Sequence, residues 1–268
     1  MPTMSRRLEC AETWAGNKKA ASLIELPGLQ AWVHSVPAGS GDGGGGGDVH
    51  YLSVCPSCIV SRVALADVSG HGPAVEALGE TLQELMQRYL RALEQIELMR
   101  DLNMAVREQL DSVHYATMVA AGWHGRRGLL VLTNAGHPPP FWHQASAGEW
   151  SWLDTRHPGE RGRPAGVPLG LLPDIDYERT VIRPHVGDLV VLYTDGVSEA
   201  VNRTGEELGR DGLMKIAREL DPSSAEAFGT GLTSALLSFR DGVEAADDET
   251  VIVLQPVRGS STSTTIDP

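Results

Sequence analysis

The feature that most constrains this chain is a change of hydrophobic period that occurs twice along its length. Short runs alternate at period two, as half-buried strands do, and then give way to pairs of segments with three- and four-residue steps. LQAWVHSV (29–36) reads as a strand closed by Pro37. Residues 49–54 and 59–66 read as a hairpin turning at Cys55-Pro56-Ser57-Cys58. Val75, Leu78, Leu82, Leu85 and Tyr89 then mark a helix from Pro73 to about residue 93. A second helix over 97–110 sets Leu98, Leu102, Ala105 and Gln109 on one stripe.

Strands return at 115–123 and 128–133, with Gly125-Arg126-Arg127-Gly128 as the turn between them. Residues 144–176 read as loop-rich with a short strand near 150–153, and further strands fit 179–183 and 188–194. Helices follow at 206–220 and 225–239, the second opened by the capping box Ser223-Ser224-Ala225-Glu226. The last strand is 250–254. This order predicts an α+β fold with two mostly antiparallel sheets covered by helices. Weak periodicity makes 1–28 an irregular or partly helical lead-in, 29–257 the folded domain and 258–268 a disordered tail.

Charge narrows the function. Acids number 35 against 22 bases, for a net charge of −13, which disfavours nucleic acid as a partner and favours cations where acids converge. Three cysteines do not make a disulfide framework, and Cys55 and Cys58 read as a hairpin-tip pair with no special role. No signal peptide and no membrane-spanning window is present, so a soluble, cytoplasmic protein is expected.

Aspartates stand beside strand ends. Asp48 follows Gly46-Gly47, Asp67 follows the strand 59–66, Asp195 follows 188–194 and precedes Gly196, and Asp247-Asp248 precede the last strand. Hard divalent cations take oxygen ligands, and a short side chain on a rigid strand end holds them well. Neighbouring glycines let an ion or substrate approach the main chain. Singly, each acid also suits a turn; together they read as a candidate divalent-metal site.

ALADVSGHGPAVEAL (64–78), TNAGHPPPFW (133–142), GVPLGLLPDIDYE (166–178), LVVLYTDGVSEAVN (189–202) and DDETVIVL (247–254) occur in the order found in one family. The chain resembles the SpoIIE/RsbU-like branch of the PPM superfamily of metal-dependent protein phosphatases. That resemblance implies a four-layer αββα sandwich, in which two antiparallel sheets are flanked by helix pairs. It implies hydrolysis of phosphoserine or phosphothreonine by a hydroxide held between two Mn²⁺ or Mg²⁺ ions. Asp67 would bridge the ions, with the Val68 carbonyl a further ligand. Asp195 and Asp247 would hold one ion and Asp48 the other, with Asp248 an additional candidate. His71 is a candidate general acid, whereas His137 reads as a structural residue pinning its turn.

Two positions depart from the family pattern. Tyr51 stands where another aspartate is common, and Glu249 stands where an apolar residue is usual. The implied partner is a phosphoprotein, for instance an anti-sigma factor antagonist, and a homodimer is left open. No sensor segment precedes the phosphatase motifs, so regulation is expected from elsewhere, and the helix after Asp67 could control metal binding. A pseudophosphatase that binds a phosphoprotein, or a hydrolase of small phosphoesters, remain the alternative readings.

Overall fold

The computed structural model describes residues 4–39, 44–70, 73–88, 94–109, 114–153 and 166–258. Among these residues thirteen strands form two sheets. The strands are β1 (Met4–Arg7), β2 (Thr13–Lys18), β3 (Ala20–Leu26), β4 (Leu29–Val36), β5 (Gly45–Val54), β6 (Ser61–Val68), β7 (Ala116–His124), β8 (Leu129–Ala135), β9 (Phe141–Gln144), β10 (Glu149–Trp152), β11 (Arg179–Ile182), β12 (Leu189–Tyr193) and β13 (Glu249–Pro256). The helices are α1 (Pro73–Arg88), α2 (Gln95–Gln109), the single turn α3 (Asp195–Ser198), α4 (Gly209–Glu219) and α5 (Ala225–Arg240). One sheet runs β1-β3-β4-β13-β12-β9-β10 and the other β11-β8-β7-β6-β5-β2. All pairings are antiparallel except β1 with β3.

Three apolar layers hold four layers of structure together. Leu52, Leu65, Ile252 and Leu254 fill the space between the sheets. Val49, Ala66, Leu82 and Leu102 pack α1 and α2 on the six-stranded sheet. Val191, Val251, Leu213 and Phe228 pack α4 and α5 on the seven-stranded one. Alternation along each strand decides which layer a side chain enters, and the αββα sandwich follows. Ser224 caps α5, its side chain accepting from the Ala227 N–H.

Two expectations are corrected. The segment before Leu29 is not irregular or helical, because β2 and β3 add to the two different sheets and β1 extends one of them. The alternation is hard to see there: β1 is exposed throughout, and β2 is an edge strand interrupted by a bulge at Asn17. Cys58 also has a partner, since Cys10 is disulfide-bonded to it with the Cα atoms 5.2 Å apart. The Ala11 N–H donates to the Val54 carbonyl, which brings Cys10 against the hairpin tip. Cys55 stays a free, buried thiol. Strand β9 and helix α3, absent from the sequence reading, are both short.

Candidate metal centre

Asp48 and Asp67 face each other across β5 and β6 as registered partners. Asp195 opens α3 at the end of β12, and Asp247 and Asp248 lead into β13, which pairs with β12. The fold therefore gathers acids from both sheets at one edge of their interface. Position 51 lies an odd number of residues from Asp48, so pleating turns Tyr51 to the opposite face, into the helix-covered core. His71 falls outside the described residues, as do 259–268 of the polar tail.

Asp48 is 3% exposed. It accepts a hydrogen bond from Thr194 Oγ1 at 2.8 Å, and Thr194 Oγ1 itself accepts from the Thr250 N–H at 2.9 Å. Thr250 Oγ1 lies 2.9 Å from Ser35 Oγ. These hydroxyls belong to β4, β12–α3 and β13, so Asp48 is bolted to the opposite sheet. Thr194, Thr250 and Ser35 were not legible as site residues in the sequence.

Burial first, and then the neighbouring carboxylates, governs the protonation of this cluster. The Asp67 carboxyl is pushed up to about 9 by desolvation and by Asp48, Asp195, Asp247 and Asp248. Desolvation likewise raises Asp48 well above the usual range, with Asp248 and Asp195 adding repulsion against the hydrogen bonds from Thr250 and Thr194. Asp195 is raised by burial and by Asp247. Asp48, Asp67 and Asp195 thus each feel neighbouring carboxylates, the electrostatic signature of convergence.

Asp248 differs in role. Its Oδ2 accepts from the Gly47 N–H at 2.6 Å and from the Asp48 N–H at 3.3 Å, and its Oδ1 accepts from the Ala38 N–H at 2.7 Å. The carboxylate fastens the loop before β13 to the start of β5. Two glycines permit this approach, because a Cβ on Gly46 would strike the Asp248 carboxylate and one on Gly196 its carbonyl oxygen. A Cβ on Gly47 would lie 2.9 Å from the Val68 carbonyl oxygen and 3.4 Å from Asp67 Oδ1. The Val75 side chain would be nearer still, at 2.8 Å, so only a glycine fits at 47 between α1 and these oxygens.

Among the described residues, no three acidic, histidine or cysteine side chains close into a ready ligand shell. The donor set is nevertheless all oxygen, and its raised carboxyls are the groups a divalent cation would relieve, so it fits a hard cation.

His137 supports this edge from below. The His137 N–H donates to Asn134 Oδ1 at 2.8 Å, and Asn134 Nδ2 donates back to the His137 carbonyl at 2.9 Å. Its Nδ1 lies 2.8 Å from the hydroxyl of Thr117, the registered partner of Asp67. Burial drives its pKa down to about 3, so the ring is neutral. Asn17, which the sequence reading passed over, donates from Nδ2 to the carbonyls of Gly46 and Glu76, both at 3.1 Å. It ties α1 to the strand bearing Asp48.

The family model described as Stage II sporulation protein E (SpoIIE) matches residues 61–256. The chain belongs to the SpoIIE family. It is 27% identical over 195 residues to the phosphoserine phosphatase RsbU of Bacillus subtilis (strain 168), covering 72% of this chain and 55% of that relative. This SpoIIE-family chain thus spans about half the length of that relative. The RsbU and RsbW domains of Rv1364c from Mycobacterium tuberculosis superpose with a TM-score of 0.70 at 21% identity, covering 87% of this chain and 62% of the other. The catalytic domain of the serine/threonine phosphatase PstP in complex with two manganese ions gives 0.57 at 19% identity, covering 86% and 99%. At these identities the superpositions establish the fold.

Proposed function

We propose that this chain is a serine/threonine protein phosphatase that uses two divalent cations, Mn²⁺ or Mg²⁺, to hydrolyse a phosphorylated signalling protein such as an anti-sigma factor antagonist. The observation that carries the reading is the convergence of Asp48 and Asp67 from one sheet with Asp195 and Asp247 from the other. Membership of the SpoIIE family and similarity to a phosphoserine phosphatase support the same reading. When bound, the cations would acidify water and neutralise phosphate charge. Asp67 and the Val68 carbonyl would be shared ligands beside Gly47, with Asp195 and Asp247 holding one ion and Asp48 the other. Thr194 and Thr250 hold Asp48 in place, and Asp248 positions its strand.

The test compares wild type with Asp67→Asn on a phosphoserine peptide and on p-nitrophenyl phosphate, with and without Mn²⁺. Mn²⁺-dependent phosphate release that drops to background in the variant supports the reading. A folded wild type that binds Mn²⁺ yet releases nothing from either substrate would overturn it in favour of a binding-only protein.

A further inference from the structure

Residues 249, 251 and 253 of β13 share one face, and on it Val251 and Val253 enter the apolar layer under α4 and α5. Glu249 occupies the first position on that face, with its side chain 13% exposed. A carboxylate there needs a partner, and Arg240, the last residue of α5 and 8% exposed in its side chain, forms the ion pair. Between them lie residues 241–248, which carry Asp247 and Asp248. The pair thus joins both ends of the loop that delivers one side of the acidic site. The C-terminal end of the loop, next to Glu249, is also held by the Asp248 carboxylate on the N–H groups of Ala38, Gly47 and Asp48.

A buried ion pair is weak evidence for stability, since well-packed apolar residues in its place are often neutral or better; its best-attested use is to fix one arrangement. The β13–β4 ladder already fixes Glu249 opposite Val36, so its ion pair with Arg240 fixes where the end of α5 sits against the start of β13. We propose that Arg240 and Glu249 are positioning residues that close the neck of the 241–248 loop and set the reach of Asp247 toward the cation. The inference rests on the two-cation reading of the site.

The experiment uses the full chain and three variants: Arg240→Met, Glu249→Gln and the double variant Arg240→Met/Glu249→Met. Mn²⁺ affinity is measured by calorimetry, thermal stability in EDTA by calorimetric scanning, and exchange of the Gly47 and Asp48 amides in metal-free protein by NMR. The double variant should melt within a few degrees of wild type, yet bind Mn²⁺ at least threefold more weakly and exchange those amides at least threefold faster. A purely structural role predicts that stability and affinity move together. Either that covariance or a double variant within threefold of wild type in both readouts would overturn the inference. If the double variant fails to fold, Glu249→Gln, which keeps the shape and loses the charge, is held to the same threshold. A wild type that binds no Mn²⁺ would instead defeat the two-cation reading, and the amide exchange would still judge the positioning.

Discussion

Asp67 meets its registered partner Asp48 in a buried place where, among the described residues, the charges that act on it are those of other carboxylates. The folded, metal-free chain therefore retains protons that an unfolded carboxyl, near 3.8, has already released. Because the folded pKa is raised, this contribution to stability is fully present below about pH 4 and is lost as pH rises toward 9. Burial of His137 and His50 acts in the opposite sense, but only below the unfolded histidine value of 6.5. Between pH 7 and 9 the raised carboxyls lower stability, opposed by Cys55, where burial raises the thiol but hydrogen bonds from Ser57, Val60 and Ile59 bring it below its usual value. The unfolding free energy in EDTA should fall there by up to about 1.4 kcal/mol per pH unit for each retained proton. Urea titrations at pH 7, 8 and 9 would show it, with a shallower decline in Asp67→Asn; a flat wild-type profile would refute the coupling. A neighbouring residue gives a second test. Thr194→Val leaves Asp48 and the Thr250 N–H each short of a partner, at a cost of about 1–3 kcal/mol. Denaturant midpoints would measure this. The acids of the site were legible because glycines and strand ends frame them. Thr194 was not, because its bond to Asp48 spans 146 positions and looks like ordinary strand chemistry from either end.

At the scale of elements, α1 carries the coupling between the acidic edge and the rest of the chain. Gly45 donates its N–H to Glu76 Oε1 at 2.8 Å, and a Cβ on Gly79 would come within 2.9 Å of the Gly46 carbonyl oxygen. Gly79→Ala should strengthen the helix by about 1 kcal/mol of intrinsic propensity yet push it off the strand that presents Asp48. The expected outcome is a several-fold weaker Mn²⁺ affinity with no loss of helicity, read by calorimetry and circular dichroism. An unchanged affinity would uncouple α1 from the site. The N-terminal strands make a contrasting case. Their alternation was illegible because β2 is an edge interrupted by a bulge and β1 buries nothing. Even so, Leu8, Ile24 and Leu26 are core residues between the sheets. Each contributes about 1.5–3 kcal/mol on burial, against a total domain stability of about 5–15 kcal/mol. A chain begun at Leu29 should therefore lose its cooperative thermal transition, and one that retains it would restore the boundary expected from the sequence.

For the whole molecule, the decisive property is that the acids belong to different sheets. Asp48 and Asp67 ride on the six-stranded sheet, whereas Asp195 and Asp247 border strands of the seven-stranded one. Without cations, repulsion among them acts to part the layers, opposed by the Thr194–Asp48 bond and by the apolar contacts between the sheets. On the proposed two-cation reading, cations that took ligands from both sides would convert that repulsion into a cross-link, and binding to the folded state alone would stabilise by mass action. At a concentration 100 times the Kd the gain is about 2.7 kcal/mol. For a chain of this size that corresponds to a rise of about 5–10 °C in Tm. Scanning calorimetry with Mn²⁺ against EDTA would measure it in wild type, in Asp48→Asn and in Asp195→Asn. Because the cross-link needs both sheets, either substitution should remove most of the rise. If the ligands acted as two independent half-sites, Asp195→Asn would instead keep the share contributed by the six-stranded sheet.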